Sequence, residues 1–290
     1  MPLARIALIF AGLVALFGLV YGVSVYTAVG RRLADSSLRG AIAARPLFFG
    51  TVSKILDVVS VASLLGAVAL VAVIALVRLA RLEGLLAVGI LVCSNISTWL
   101  LKTVLLTRPD LGLHEIAPAT LNSMPSGHAT AVFSSVAALL FVAPRRWRGV
   151  SATAGAGFAA VTGLATMLAG WHRAGDSVAA FLLVGCWSSV AAAVLLVYRH
   201  HPTTRHRTAA SFWLRSMTRA AVASLLLSTA LAGGLVLASL TPGNVVGSAV
   251  AFVAGGLFVV GAACGTTVAV LEVLRLGETG HTSGPTDTRP

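Results

Sequence analysis

The stretch NSMPSGHATAVFSSVAALLFVA, residues 122–143, gathers a proline, a serine, a glycine and a histidine at positions 125–128 and is apolar from there to its end. The apolar part approaches the ~20 residues that one helix needs to cross a hydrocarbon layer. The polar turn therefore sits where the chain enters a membrane. Seven further stretches of the same apolar character surround it, at about 5–28, 55–77, 84–106, 149–170, 177–198, 219–240 and 246–271. The expected fold class is all-α, a polytopic membrane helical bundle of about eight transmembrane helices.

Composition agrees with this reading. Of 290 residues, 57% are hydrophobic and 10% charged, and the mean hydropathy is +0.93, a balance that belongs to membrane proteins. The first stretch exceeds the ~7–15 residues of a signal-peptide apolar region, and no small-residue cleavage site follows it. An uncleaved span is expected; the alternative is a cleaved leader and seven spans.

The formal charge of +12 raises nucleic acid as a partner, but the basic residues lie in short segments between spans, with no stripe of interleaved aromatics. No nucleic-acid partner is expected; membrane lipids are. With a cytoplasmic N-terminus, most arginines fall on the cytoplasmic side, among them Arg78, Arg81, Arg145, Arg146, Arg148, Arg205 and Arg207. The opposite side receives Arg31, Arg32, Arg39, Arg45 and Lys54 in one loop, and Lys102, Arg108 and Arg173 beside polar segments.

Cys93, Cys186 and Cys264 each lie inside an expected span, without metal or disulfide spacing, and read as packing residues. No metal site and no cofactor is expected. Gly243 with Gly247, and Gly261 with Gly265, place small residues four apart in the last two spans. They permit close helix contact within one chain or across a homodimer.

Two polar segments stand out on the side opposite the arginine-rich loops: KTVLLTRPDLGLHEIAPATLNSMPSGH, 102–128, and GWHRAGD, 170–176. An even number of spans separates them, so they can meet. Pro125 suits a first helical turn, Asn122 or Ser123 can cap it, and Gly127 lets a ligand approach the backbone. Such a helix start binds phosphate through its free N–H groups, and His128 would project from the same turn as a general acid. The alternative is an ordinary capped helix start. His172 and Asp176, four apart, can hydrogen-bond on one helix face, which fixes the imidazole tautomer and leaves the other nitrogen as nucleophile or base. The alternative is an interfacial pair that caps the sixth span, with Trp171 as a headgroup anchor. Lys102 ends the third span, and Arg108 precedes Pro109, which turns it out of helical geometry. Lys102 could equally snorkel to the interface.

In their order and placement, KTVLLTRP, PSGH and HRAGD resemble the three signature motifs of the type 2 phosphatidic acid phosphatase (PAP2) superfamily, over about residues 55–198. The resemblance implies a six-helix core, placed in 1–198; hydropathy and charge give a cytoplasmic basic loop and two additional transmembrane helices in 199–276, and the lack of any apolar period gives a disordered tail in 277–290. It implies a metal-independent phosphatase of lipid phosphates or diphosphates that works through a phosphohistidine. His172 would be the nucleophile, Asp176 its orienting partner and His128 the acid. Lys102, Arg108 and the N–H groups around Ser126 and Gly127 would hold the phosphoryl oxygens. The protein would reside in the cell membrane with its site facing the periplasm or exterior.

The sequence departs from the family at two points. Five residues separate Lys102 from Arg108 where six are usual, so loop geometry must place the arginine. Ala165-Thr166 stands where the third motif has Ser-Arg, and Arg173 is the nearest replacement cation. Two alternatives follow: a catalytically degenerate member that binds or transports a lipid phosphate, and a haloperoxidase-like use of the cradle with vanadate.

Overall fold

The computed structural model describes residues 1–58, 61–113, 115–116, 122–198, 210–238 and 244–279. Its regular elements are helices: α1 (Pro2–Tyr26), α2 (Ala28–Val58), α3 (Val61–Val77), α4 (Arg81–Leu100) continued by a π turn (Leu101–Leu105), α5 (Gly127–Val142), α6 (Arg145–Leu168), α7 (Ala174–Tyr198), α8 (Ala210–Leu237) and α9 (Val245–Gly277). Six are long and apolar enough to cross a membrane, and Leu65–Val77 and Gly127–Val142 are shorter apolar helices. Together they occupy the eight places expected from hydropathy. The chain is a polytopic helical bundle.

The centre of the bundle is α7, buried along most of its length, with Phe181, Val184, Ala192 and Leu195 fully enclosed. Alanine and glycine on its neighbours let helix axes close in, as expected where dispersion rather than water exclusion drives packing. A Cβ at Gly277 would lie 2.7 Å from the Ala192 carbonyl oxygen, and one at Gly185 would lie 2.8 Å from Thr266. Thus α9 packs directly on α7, and it also touches α1, α2 and α6. The last helix is part of the central packing rather than an appendage to a six-span core.

The main departure from expectation is α2. Residues 29–54 read as a charged loop, yet they form most of a 31-residue helix. Its buried positions, Arg31, Asp35, Leu38, Ala41, Val52 and Leu56, recur at helical spacing. Averaged hydropathy cannot detect such a face when charges stand on both faces of the helix, Arg31 and Asp35 on the buried one. The helix is seated against α9, where a Cβ at Gly40 would overlap the Ser248 carbonyl at 2.1 Å; only glycine allows that approach.

The expected tail begins later than 277. Glu278 is buried and pairs with Arg145 at 2.8 Å and Arg148 at 2.8 Å. The rest of that tail, from 280, lies outside the described residues, as do the basic loop 199–209 and Gly243. Gly261 and Gly265 face Leu225 and Ala221 of α8 within the same chain.

Candidate active site

The end of α6 sets up the site. Gly170 takes φ +79, and the Gly170 and Trp171 N–H groups donate to Met167 and Thr166 carbonyls at 2.9 and 3.0 Å. This is a Schellman termination, which needs a left-handed residue just past the helix. It reverses the chain so that His172 and Arg173 lie before α7 instead of on it. Asp176, at the third position of α7, reaches back to accept the Arg173 N–H at 3.0 Å, the acidic half of a capping box.

The same Asp176 Oδ2 accepts Ser123 Oγ at 2.6 Å and faces His172 Nδ1 at 3.2 Å. As a carboxylate it accepts all three donors. With Nδ1–H directed at Asp176, His172 has Nε2 left as a lone-pair nitrogen. The two polar segments are joined again through the backbone, where the Ser126 N–H donates to the Asp176 carbonyl at 2.9 Å.

The PSGH turn is built differently from the expectation. The N-cap is Ser126, whose Oγ accepts the Ala129 N–H at 3.4 Å, and the helix begins at Gly127. Pro125 therefore precedes the cap. Ser123 is committed to Asp176, and Asn122 ties Nδ2 to the Lys102 and Leu106 carbonyls at 3.2 and 3.1 Å. Because the Ser126 N–H is taken, the open donors of this turn are those of Gly127 and His128, which lack intrahelical partners by the geometry of a helix start. Open space lies where a Gly127 side chain would be. His128 packs on Trp171 with ring centroids 5.4 Å apart, and it lies within electrostatic reach of His172 and Lys102.

Lys102 belongs to the π turn that ends α4, and π turns cluster at functional sites. Beyond it the chain is extended, so the short spacing to Arg108 is absorbed by a loop. Three residues from outside the motifs, Tyr21, Arg31 and Glu115, hold that loop. Tyr21 Oη donates to the Thr107 carbonyl at 2.7 Å and accepts its N–H at 3.0 Å. Arg31 Nη2 donates to the Pro109 carbonyl. Glu115 bridges Arg108 Nη2 at 2.7 Å and Arg31 Nη1 at 3.2 Å.

Arg173 is 3% exposed. Burial and the nearby Arg108 pull its guanidinium below the ordinary value, against Asp176, Glu115 and Asp35. Arg173 Nε and Nη2 and Arg108 Nε are buried without a hydrogen-bond partner. Buried charged donors left unpaired are costly, and neighbouring guanidinium groups repel, so this arrangement is one that a bound anion would stabilise. Thr166, at the position of the family's arginine, is fully buried and donates to the Gly163 carbonyl at 2.8 Å. Among the described residues no group of three His, Cys, Asp or Glu side chains is placed to hold a metal.

All the residues singled out from the motifs thus gather at one end of the bundle. Sequence reasoning missed Ser123 as a partner of Asp176, and it missed Arg31, Asp35 and Tyr21. The helical spacing of 31, 35, 38 and 41 was the available signal.

A multi-pass helical protein with paired histidine and aspartate, two buried arginines and an open helix start at one end has the build of a membrane phosphatase family. Residues 82–200 match the family model of the PAP2 superfamily. No curated protein and no solved structure was found to match the chain.

Proposed function

We propose that the protein hydrolyses the phosphomonoester or diphosphate of a membrane lipid through a phosphohistidine at this site. The observation that carries the reading is the set of three guanidinium nitrogens, on Arg108 and Arg173, buried without a hydrogen-bond partner. A phosphoryl group supplies the oxygens that these donors lack, and bidentate contacts suit arginine.

In this reading Lys102, Arg108, Arg173 and the Gly127 and His128 N–H groups hold the phosphoryl oxygens. His172 Nε2 attacks phosphorus while Asp176 retains the Nδ1 proton and fixes the ring. The bond to the lipid oxygen breaks, and His128 protonates that oxygen so that the lipid alcohol leaves. Water then attacks the phosphohistidine with His128 as base, releasing inorganic phosphate and free His172. Charge stabilisation of the equatorial oxygens supplies most of the acceleration in such a transfer. Arg173 takes the place of the cation absent at 166.

The charge bias of the loops supports a cell-membrane location with the site facing the periplasm or exterior. Cysteine labelling with an impermeant reagent, in a background without native cysteines, is expected to modify Glu115→Cys in intact cells and to spare Arg146→Cys. Labelling at 146 overturns the orientation. Activity is tested by phosphate release from phosphatidic acid, phosphatidylglycerol phosphate, polyprenyl diphosphate and a prenyl-linked sugar phosphate. Turnover lost in EDTA and restored by magnesium contradicts the mechanism.

One observation favours a second reading. The neutral, enclosed Thr166 supports a degenerate member that binds or moves a lipid phosphate. Phosphate release only after Thr166→Arg, with none from the unmodified protein, selects that reading.

A further inference from the structure

The region matched by the family model starts at residue 82, yet part of the wall around Arg173 comes from α2. Asp35 lies on the buried face of that helix, 2% exposed. Its Oδ1 accepts the Ile116 N–H at 2.9 Å and stands 3.9 Å from Arg173 Nη2; its Oδ2 accepts Arg39 Nε at 2.8 Å. A distance of 3.9 Å is an ion contact and too long for a hydrogen bond. The carboxylate can therefore steer the guanidinium while leaving Nε and Nη2 unspent for another acceptor.

The segment that carries Asp35 is rigidly seated. Gly40 lies against the Ser248 carbonyl, and a Cβ at Gly255 would meet Ser37 at 2.3 Å. On the other side, Ile42 touches the space beside Gly170, the residue that terminates α6 ahead of Arg173. The charge that faces Arg173 is thus fixed to the same turn that presents it.

We propose that Asp35 is a positioning residue for Arg173, so that α2, outside the matched region, completes an anion site whose usual cation at 166 is missing. The proposal rests on the phosphate-binding reading of the site. Asp35 does not touch the phosphoryl group; it acts by restricting the long, otherwise mobile arginine, which carries a large rotamer entropy when free. The protein would then need α2 in place for affinity toward phosphate, and a chain with arginine at 166 would not.

The test is a double-mutant cycle on the full-length protein in detergent or nanodiscs, with two readouts: affinity for inorganic phosphate and phosphate release from lipid. Asp35→Asn keeps an oxygen for the Ile116 N–H and removes the charge. It is expected to weaken phosphate binding and lower kcat by about ten-fold, within the range of coupling between residues in contact. In an Arg173→Ala background the same change is expected to have no further effect. Asp35→Ser, a smaller replacement that also keeps an oxygen, serves as the second variant if the first does not accumulate.

An equal loss in both backgrounds overturns the positioning role, because a merely structural Asp35 would act independently of Arg173. Coupled loss of phosphate affinity in a protein that releases no phosphate from any lipid leaves the positioning role standing and removes the phosphatase reading. Neither binding nor release by the unmodified protein overturns both.

Discussion

The two ends of the bundle use their arginines in opposite ways. At one end, Arg78, Arg145 and Arg148 line a cavity of about 250 Å³ with Glu83 and Glu278. There Arg145 and Arg148 grip Glu278, Arg148 Nε also donates to the Ala143 carbonyl at 3.1 Å, and Arg78 donates to the Val142 carbonyl. None of these guanidinium nitrogens is among the buried atoms without a partner. At the other end, Arg108 and Arg173 are held by carboxylates on one side and left open on another. The cavity at the first end is therefore lined by groups that satisfy one another. Donors that are buried and unspent, rather than open volume, mark the end where chemistry is expected.

The sharpest way to break this contrast is His172→Ala. If the open end is the reactive one, phosphate release and any acid-labile phosphoenzyme disappear, and both survive if it is not. Next, Arg173→Ala removes two of the unspent donors and is expected to lower turnover by about 10²–10³, the usual cost of a preorganised donor. Expression and membrane insertion should be unchanged. Near-full activity would remove Arg173 as a cation that holds the anion.

A smaller effect is expected at Gly170. Its φ of +79 is strained for alanine by about 1–2 kcal/mol, although the added Cβ meets Ile42 only at an ordinary 3.4 Å. Gly170→Ala should lower the unfolding temperature modestly and slow turnover a few-fold, because the turn that presents His172 shifts. Unchanged kinetics would show that the Schellman turn is not what places the histidine.

The smallest effect on turnover belongs to the opposite end. Glu278→Gln should leave kcat and KM as they are while costing about 1–3 kcal/mol of stability, typical of hydrogen bonds to charged groups. Burial raises the Glu278 carboxyl, but its pairs with Arg148 and Arg145 outweigh this and set it below the ordinary 4.5. A depressed carboxyl contributes fully above its unfolded value and loses that contribution as pH falls through the folded one. Thermal unfolding of the unmodified protein should therefore weaken below about pH 4.5 more steeply than that of Glu278→Gln. Parallel curves would remove Glu278 as a latch between α9 and the start of α6.

How much of the site was legible depended on how local each relation is. His172 with Asp176, and the residues of PSGH, lie within single turns of chain, so spacing alone made them candidates. The cap itself was misassigned. Whether Asn122, Ser123 or Ser126 caps α5 depends on what else competes for each side chain, and Asp176 and the end of α4 had claimed the first two.

The amino-acid sequence by itself determined the eight apolar helices, because transfer into lipid is decided by composition summed over some twenty consecutive residues. It also determined the candidate site residues, since only a few side chains can act as nucleophile, acid or anion holder. Tertiary structure alone decided that α2 packs on α9, that α9 lies against α7 at the centre, and that Asp35 faces Arg173. These are pairings between segments far apart in the chain. Their energy comes from close helix packing and from which charges meet in a buried interior, and no local period records which segments pair.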